Sequence, residues 1–180
     1  LAAFINNSDN AKMIIAPHSL KIVEENDKLG IKVEVRYFIL PNENFAALVR
    51  RVNIQNISTE DVEIEALDGM PTLVPYGIDN DTLKSVSQTI SAWCKVYSLE
   101  NRTPFYKLRA SAEDEAEVKR VESGNFYLSF TQKGGRNQLL MPLVDPRVIF
   151  AQDLGLNRPS GFINNKLADY GGKQITENRF

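Results

Sequence analysis

Apolar and polar residues alternate through positions 46–68, and this pattern predicts two strands joined by a turn. The apolar residues of the first strand recur at even spacing and are Leu48, Val52 and Ile54. The polar run Ser58–Asp61 then supplies short side chains that hydrogen-bond their own backbone in turns. The second apolar series is Val62, Ile64 and Ala66. We therefore expect an antiparallel hairpin here, with the rest of the chain built outward from it.

Three further strands are expected before this hairpin. Two short apolar stretches, Lys12–Ala16 and Ser19–Glu25, are separated by Pro17, which cannot donate to a strand ladder. After a turn at Asn26–Lys28, apolar residues alternate with polar ones through Ile31–Ile39. Such short connections predict consecutive antiparallel strands, arranged as a sandwich or a meander.

The spacing becomes helical after residue 80. The apolar positions recur every three or four residues and are Leu83, Val86, Ile90, Trp93 and Tyr97. Asp79–Asp81 can cap the free amide groups at the start. We expect one amphipathic helix, Thr82–Val96, that lies on the sheet and buries Trp93 against it.

The second half of the chain returns to strand-like patterns. Strands are expected at Phe105–Ala110, Asn125–Phe130, Gln138–Val144 and Arg147–Ala151. The pair Gly134–Gly135 is a candidate hairpin turn. The acidic stretch Ser111–Glu122 is expected to be a surface loop with a short strand at Val118–Val121.

The end of the chain differs from the rest. From Leu154 onward Gly and Asn are frequent and apolar residues have no period, so residues 154–180 are expected to be an extended tail or interdomain linker. Residues 1–153 are predicted to form one domain. The predicted fold class is mainly β, an antiparallel β-sandwich with one amphipathic helix packed on it. Without a neighbouring domain, the apolar residues of the tail would fold back or join two copies as a homodimer.

Composition limits the classes of partner. The chain is 43% hydrophobic and 24% charged with a net charge of −2, so its bulk charge predicts neither nucleic acid nor membrane as a partner. No apolar run approaches the roughly 20 residues needed to span a bilayer. Cys94 is the one cysteine, which excludes an internal disulfide and fits a reducing compartment such as the cytoplasm, while export stays open. Because the chain begins at Leu1, we expect an excised piece of a longer protein.

Few residues suggest catalysis. His18 is the single histidine, without a second His or a Cys near it, so a structural or surface role is favoured over a metal site or a triad. Glu113, Asp114 and Glu115 could supply a catalytic pair, but neighbouring carboxylates in a polar stretch are more typical of a solvated loop. Neither a catalytic residue nor a metal ligand nor a cofactor is therefore predicted.

Two arginines are candidates for binding. Arg50 and Arg51 are adjacent in a predicted strand and so face opposite sides of the sheet. One of them could hold an anion or a sugar hydroxyl. Pairing with Glu63 or Glu65 across the predicted hairpin is the simpler use, and it is the one we favour.

The remaining motifs carry less weight. Trp93 and Tyr97 could form an aromatic platform for a sugar ring, but their helical spacing favours the core. The Gly134–Arg136 triplet lacks the strand-to-helix setting of a phosphate loop. Asn56–Ser58 and Asn101–Thr103 match the glycosylation triplet, which is too short to be informative without secretory context.

Several segments together resemble a known family. They are FAALVRRVNIQNIS, VEIEALDGMPTLVPYG, ISAWCKVY, RTPFYKLRAS and SGNFYLSF. In these segments the chain is similar to the N-terminal region of large bacterial proteins of the cellobiose phosphorylase type, which are carbohydrate-active phosphorylases and glycosidases. The similarity covers roughly Ile31–Phe150, and Glu65–Gly77 is its most specific part.

The resemblance implies a β-supersandwich of the galactose-mutarotase-like kind. In that family it precedes a catalytic (α/α)-barrel, which would be the partner domain in the same parent chain. The expected function is thus a non-catalytic module that supports the barrel of a glycoside phosphorylase or glycosidase and contacts carbohydrate near its site. A free-standing carbohydrate-binding module and a small mutarotase-like enzyme are the alternatives. The latter needs a His and a carboxylate facing one cleft.

Overall fold

The computed structural model describes residues 11–70, 73–111, 116–117, 119–133, 135–153 and 155–165. Within these ranges the chain is mainly β, with antiparallel sheets of four, three and two strands and short helices, which confirms the predicted fold class at that level. No helix in the described ranges has the length and apolar character that a bilayer crossing requires. The chain divides into two compact units, Leu1–Ile64 and Glu65–Phe180.

The first unit contains a four-stranded antiparallel sheet in sequential order. Its strands are β1 (Ala11–Ala16), β2 (Ser19–Asn26), β3 (Ile31–Ile39) and β4 (Leu48–Asn56). All four agree with the predicted strands to within two residues at each end. The period-two alternation that predicted them also fixes which side chains share a face.

The turn between β2 and β3 is held by specific contacts. The side chain of Asn26 accepts a hydrogen bond from the backbone N–H of Leu29 at 3.0 Å. Gly30 has a positive φ of 63°, and a Cβ at this position would lie 2.6 Å from the Cβ of Ser58. Only glycine fits this combination of backbone angle and close approach. The turn therefore sets the register in which Asn26 lies opposite Ile31.

The two faces of this sheet differ in character. The apolar face carries Met13, Ile15, Leu20, Ile22, Val33, Val35, Ile39, Leu48, Val52 and Ile54, with Glu24, Tyr37 and Arg50 among them. The polar face carries Lys12, Ile14, Lys21, Val23, Glu25, Lys32, Glu34, Arg36, Phe38, Val49, Arg51, Asn53 and Gln55.

Two ion pairs lie on the polar face. Lys21 pairs with Glu34 at 2.8 Å and Lys32 with Glu25 at 2.5 Å. The Lys32 ammonium lowers the pKa of Glu25.

The predicted hairpin after β4 is not formed. Residues 61–68 have no strand, and β4 pairs with β3. Directly after β4, the side-chain oxygen of Asn56 accepts hydrogen bonds from the N–H and hydroxyl of Ser58, and its amide donates to the carbonyl of Glu60. These local side-chain bonds offer the backbone an alternative to a strand ladder. The expectation of a second strand through Val62, Ile64 and Ala66 was therefore wrong.

The second unit begins with a shorter helix than predicted. Helix α1 spans Asn80–Val86, a 3-10 helix follows at Ser87–Trp93, and strand β5 occupies Cys94–Tyr97. The cap is confirmed, because Asp79 accepts from the backbone N–H of Thr82 at 2.7 Å, and this lowers the pKa of Asp79. The last turn of the predicted helix is lost to strand pairing.

Strand β5 pairs with β6 (Phe105–Leu108), which pairs with β7 (Asn125–Phe126). Strands β8 (Phe130–Lys133) and β9 (Arg136–Leu139) form a separate hairpin, with Gly135 at a positive φ of 76°.

The strands predicted in this part of the chain differ from the observed ones. The predicted strand Asn125–Phe130 is divided between two sheets. The predicted strand Gln138–Val144 begins two residues earlier and ends at Leu139. Residues 119–121 have no strand, and Val118 lies outside the described residues.

The stretch predicted as strand Arg147–Ala151 is a helix instead. Helix α2 spans Pro146–Phe150, and the side chain of the buried residue Asp145 accepts from the backbone N–H of Arg147 at 3.1 Å. An N-cap aspartate followed by proline is a helix-start signal, and it outweighed the apolar run after it. Helix α3, Ser160–Asn164, lies in the predicted tail, so that part of the tail is not extended.

The core of the second unit forms where these elements meet. Ile90, Cys94 and Leu108 are buried together, and half-buried apolar residues pack around them. Cys94 lies directly opposite Leu108 in the β5–β6 pair. Trp93 is the last residue of the 3-10 helix, directly before β5, and is 39% exposed. The prediction that Trp93 is buried was therefore wrong.

Candidate functional site

A shallow depression lies in the apolar face of the first sheet. It has a volume of about 300 Å³ and spans the three strands β2, β3 and β4. Its lining residues are Ile22, Glu24, Val33, Val35, Tyr37 and Arg50. Half of the lining is aliphatic, and the other half offers a carboxylate, a phenol and a guanidinium.

Arg50 and Tyr37 form the polar centre of this depression. They are direct cross-strand partners, and the Nε–H of Arg50 donates to the hydroxyl of Tyr37 at 2.9 Å. The guanidinium carbon of Arg50 lies 5.6 Å from the centre of the Tyr37 ring, a distance that allows a cation–π interaction. The predicted opposite orientation of Arg50 and Arg51 is confirmed by the register. Their pairing across a hairpin to Glu63 or Glu65 was wrong, because that hairpin is not formed.

The chemistry of this depression suits recognition. A guanidinium donates, a carboxylate accepts and a phenol does both, so Arg50, Glu24 and Tyr37 can meet a polyol or a polar protein side chain. The aliphatic residues beside them favour an occupant that also buries apolar surface. Sequence reasoning singled out Arg50 but missed Tyr37 and Glu24. The signal that could have found them is the register of β2, β3 and β4, once the turns are known.

None of the other sequence candidates that the structure describes lines this depression. His18 is exposed in the turn between β1 and β2. Glu113, Asp114 and Glu115 lie outside the described residues, as does Gly134. Among the described residues, no group of three His, Cys, Asp or Glu side chains is arranged to hold a metal ion.

The two glycosylation triplets lie in different units of the chain. The amide of Asn56 is already engaged by Glu60, as described above, and Asn101 lies in an exposed turn. Neither asparagine lines the depression.

The two aromatic candidates do not share one environment. Trp93 is partly exposed at the end of the 3-10 helix, and its carbonyl accepts from the N–H of Arg109 at 2.7 Å. Tyr97 is half-buried in β5, and the ammonium groups of Lys95 and Lys107 each lie 5.3 Å from its ring centre. The Tyr97 ring is thus engaged by cations of its own sheet. Trp93 is the more accessible of the two aromatic side chains.

Cys94 is held as a neutral thiol. It is buried, and its Sγ donates to the carbonyl of Ile90 at 3.2 Å. Burial raises the pKa of Cys94, against smaller opposing effects of a hydrogen bond with Tyr106 and of the Arg109 charge. Burial likewise raises the pKa of Tyr106. Since the thiolate is the nucleophilic form, this environment disfavours a nucleophilic role for Cys94.

The polar face of the first sheet carries a second cluster of side chains, formed by two arginines and a phenylalanine ring. Arg36 and Arg51 lie directly opposite each other, and their guanidinium carbons lie 5.8 and 6.0 Å from the centre of the Phe38 ring. Sequence reasoning named Arg51 and missed Arg36, because only the register of β3 and β4 shows that the two arginines lie opposite each other.

Comparison with known proteins adds no relative to this picture. No family model matches the chain, and neither a curated protein nor a solved structure matches it. The resemblance to cellobiose phosphorylase-type proteins therefore stays a prediction.

Proposed function

We propose that this chain is a non-catalytic β module of a carbohydrate-active enzyme of glycoside phosphorylase or glycosidase type, and that it supports the catalytic barrel of its parent. The observation that carries the proposal is the apolar face of the first sheet. A sheet with one apolar and one polar face is stable when the apolar face is covered by a second layer. We propose that the parent protein supplies this layer and so completes a sandwich.

The exposed residues of the apolar face support this proposal. Met13, Ile15, Ile39 and Leu48 are all more than half exposed, and Ile15 is 77% exposed. Full burial of such a side chain is worth about 1.5–3 kcal/mol, so covering the exposed part of Ile15 would contribute about 1–2 kcal/mol. The depression around Arg50 and Tyr37 would then accept a polar side chain of the covering layer.

The exposure of Trp93 favours a second candidate, a free-standing carbohydrate-binding module. An accessible indole ring can stack on a sugar ring, and Trp93 is the chain's only tryptophan. In this alternative the sugar would contact the second unit of the chain and would not require the apolar face of the first sheet. The two proposals thus concern different surfaces and can be tested separately.

The test of the supporting role compares two neighbouring residues of β1. Ile15→Asn changes the apolar face, while Ile14→Asn changes the polar face with the same loss of strand propensity, and both side chains are exposed in this chain. In a longer protein expressed with the adjoining coding sequence, Ile15→Asn is expected to lower the free energy of unfolding by about 1–2 kcal/mol more than Ile14→Asn. In the 180-residue chain the two variants should differ little. Equal effects in the longer protein would contradict the proposal.

A further inference from the structure

The register of the first sheet places three cations side by side on its polar face. Lys21 lies directly opposite Arg36, and Arg36 lies directly opposite Arg51, so the three form one row across β2, β3 and β4. Side chains directly opposite in an antiparallel pair have Cβ atoms about 5 Å apart, a spacing at which like charges repel. This row is more stable with a compensating negative charge nearby.

The carboxylates of this face do not supply that charge to the arginines. Glu34 pairs with Lys21 at 2.8 Å, which compensates the first cation of the row. Glu25 pairs with Lys32. In the part of the chain that the structure describes, neither Arg36 nor Arg51 has a carboxylate or hydrogen-bond partner. Two adjacent guanidinium groups therefore remain without compensation.

One aromatic ring holds both guanidinium groups. Phe38 follows Arg36 by two positions on the same face of β3, and both arginines approach its ring within about 6 Å. These contacts restrain two long side chains that would otherwise move freely. Both arginine residues are exposed, so a ligand from solvent can reach them.

We propose that Arg36 and Arg51 together bind a tetrahedral oxyanion with two negative charges, such as inorganic phosphate or the phosphate group of a phosphorylated sugar. The planar guanidinium fork matches phosphate geometry with two parallel hydrogen bonds, and two such groups on one anion compensate both charges. The described part of this face carries five cations, Lys12, Lys21, Lys32, Arg36 and Arg51, against the two acids Glu25 and Glu34. The attraction is local, because the chain as a whole has a net charge of −2.

This inference goes beyond the supporting role and does not rest on it. The supporting role concerns the apolar face, whereas the arginine pair lies on the polar face of the same sheet. Failure of one therefore leaves the other intact. The two tests share neither variants nor ligands.

The experiment titrates the 180-residue chain with inorganic phosphate, glucose 6-phosphate and glucose by calorimetry at constant ionic strength. We expect saturable binding of the two phosphates with a dissociation constant on the order of 1 mM, and no binding of glucose. Arg36→Gln and Arg51→Gln should each weaken binding about tenfold or more, because each removes a charge-assisted pair. Lys12→Gln is the matched control, since it removes one charge from the same face outside the row. It should change the dissociation constant less than about twofold.

The outcomes distinguish inorganic phosphate from a phosphorylated sugar, and a specific site from nonspecific charge attraction. Tighter binding of glucose 6-phosphate than of inorganic phosphate assigns the site to a phosphorylated sugar, and equal or weaker binding assigns it to phosphate itself. Circular dichroism of each variant checks that the sheet is folded. Absence of saturation with both phosphates would overturn the proposal. An equal loss in Lys12→Gln and Arg51→Gln would overturn it too, because general charge would then explain the binding.

Discussion

Replacement of Trp93 tests how the second unit is packed. Deleting a fully buried Trp costs about 3–5 kcal/mol. Because Trp93 is 39% exposed, about three-fifths of its surface is removed from water, and the same scale gives about 2–3 kcal/mol for Trp93→Ala. Ile90→Ala removes a smaller but buried side chain from the core and is expected to cost as much or more, within the usual 2–5 kcal/mol.

Urea unfolding followed by circular dichroism measures both changes, since Trp93→Ala removes the fluorescent probe. The slope of free energy against urea should stay the same, so that the shift in midpoint reports stability. In the unsubstituted protein, acrylamide should quench Trp93 fluorescence to an extent between those of a buried and a free indole. A loss above about 4 kcal/mol would show that Trp93 belongs to the core after all. A loss below about 1 kcal/mol would show that it packs on nothing.

The same residue separates the two proposed functions. A titration with cellobiose, followed by Trp93 fluorescence, should give no saturable change if the chain is a supporting module. Saturable quenching in the unsubstituted chain, together with calorimetric binding that Trp93→Ala abolishes and Trp93→Phe largely retains, would favour the carbohydrate-binding module, because phenylalanine keeps an aromatic ring for stacking. Circular dichroism must show that both variants are still folded before a loss of binding is attributed to the ring.

Two further predictions concern buried positions of the second unit. The free energy of unfolding should fall as the pH rises above about 8.5, by at most about 1.4 kcal/mol per pH unit, because the unfolded Cys94 thiol ionises there while burial keeps the pKa of the folded thiol higher. Urea unfolding at pH values between about 7.5 and 9.5 measures this, and a Cys94→Ala variant that keeps the full slope would refute the assignment to the thiol. Gly161→Ala should destabilise the chain by about 1–3 kcal/mol, because a Cβ would collide with the backbone carbonyls of Val148 and Ile149 in α2. Thermal unfolding measures it against the exposed control Ile163→Ala, and equal shifts would show that α3 does not pack on α2.

The sequence predicted the first sheet well, because each of its strands pairs with the strand next to it in the chain through a short turn. Strands β1 to β4 each have a period-two pattern and short turns, and such signals are complete within about ten residues. The sequence predicts a helix that ends at Val96 and so includes Cys94, because the apolar spacing here continues that of Leu83 and Ile90. The actual state of Cys94–Tyr97 depends on pairing with Phe105–Leu108, which lies beyond any local window. Helix α2 could have been predicted, since Asp145 and Pro146 are a helix-start signal in the sequence itself.

The two adjacent arginines show where sequence reasoning about the candidate sites ends. Alternation predicts that Arg50 and Arg51 point to opposite faces, and the register confirms it. What each one contacts depends on β3, where Tyr37 lies opposite Arg50 and Arg36 opposite Arg51. A shift of one residue in this register would exchange the faces and with them the partners. The register in turn depends on the lengths of the turns on either side of β3. The hydrogen bond between Arg50 and Tyr37 in the depression and the pairing of Arg36 with Arg51 on the polar face are therefore both consequences of loop geometry.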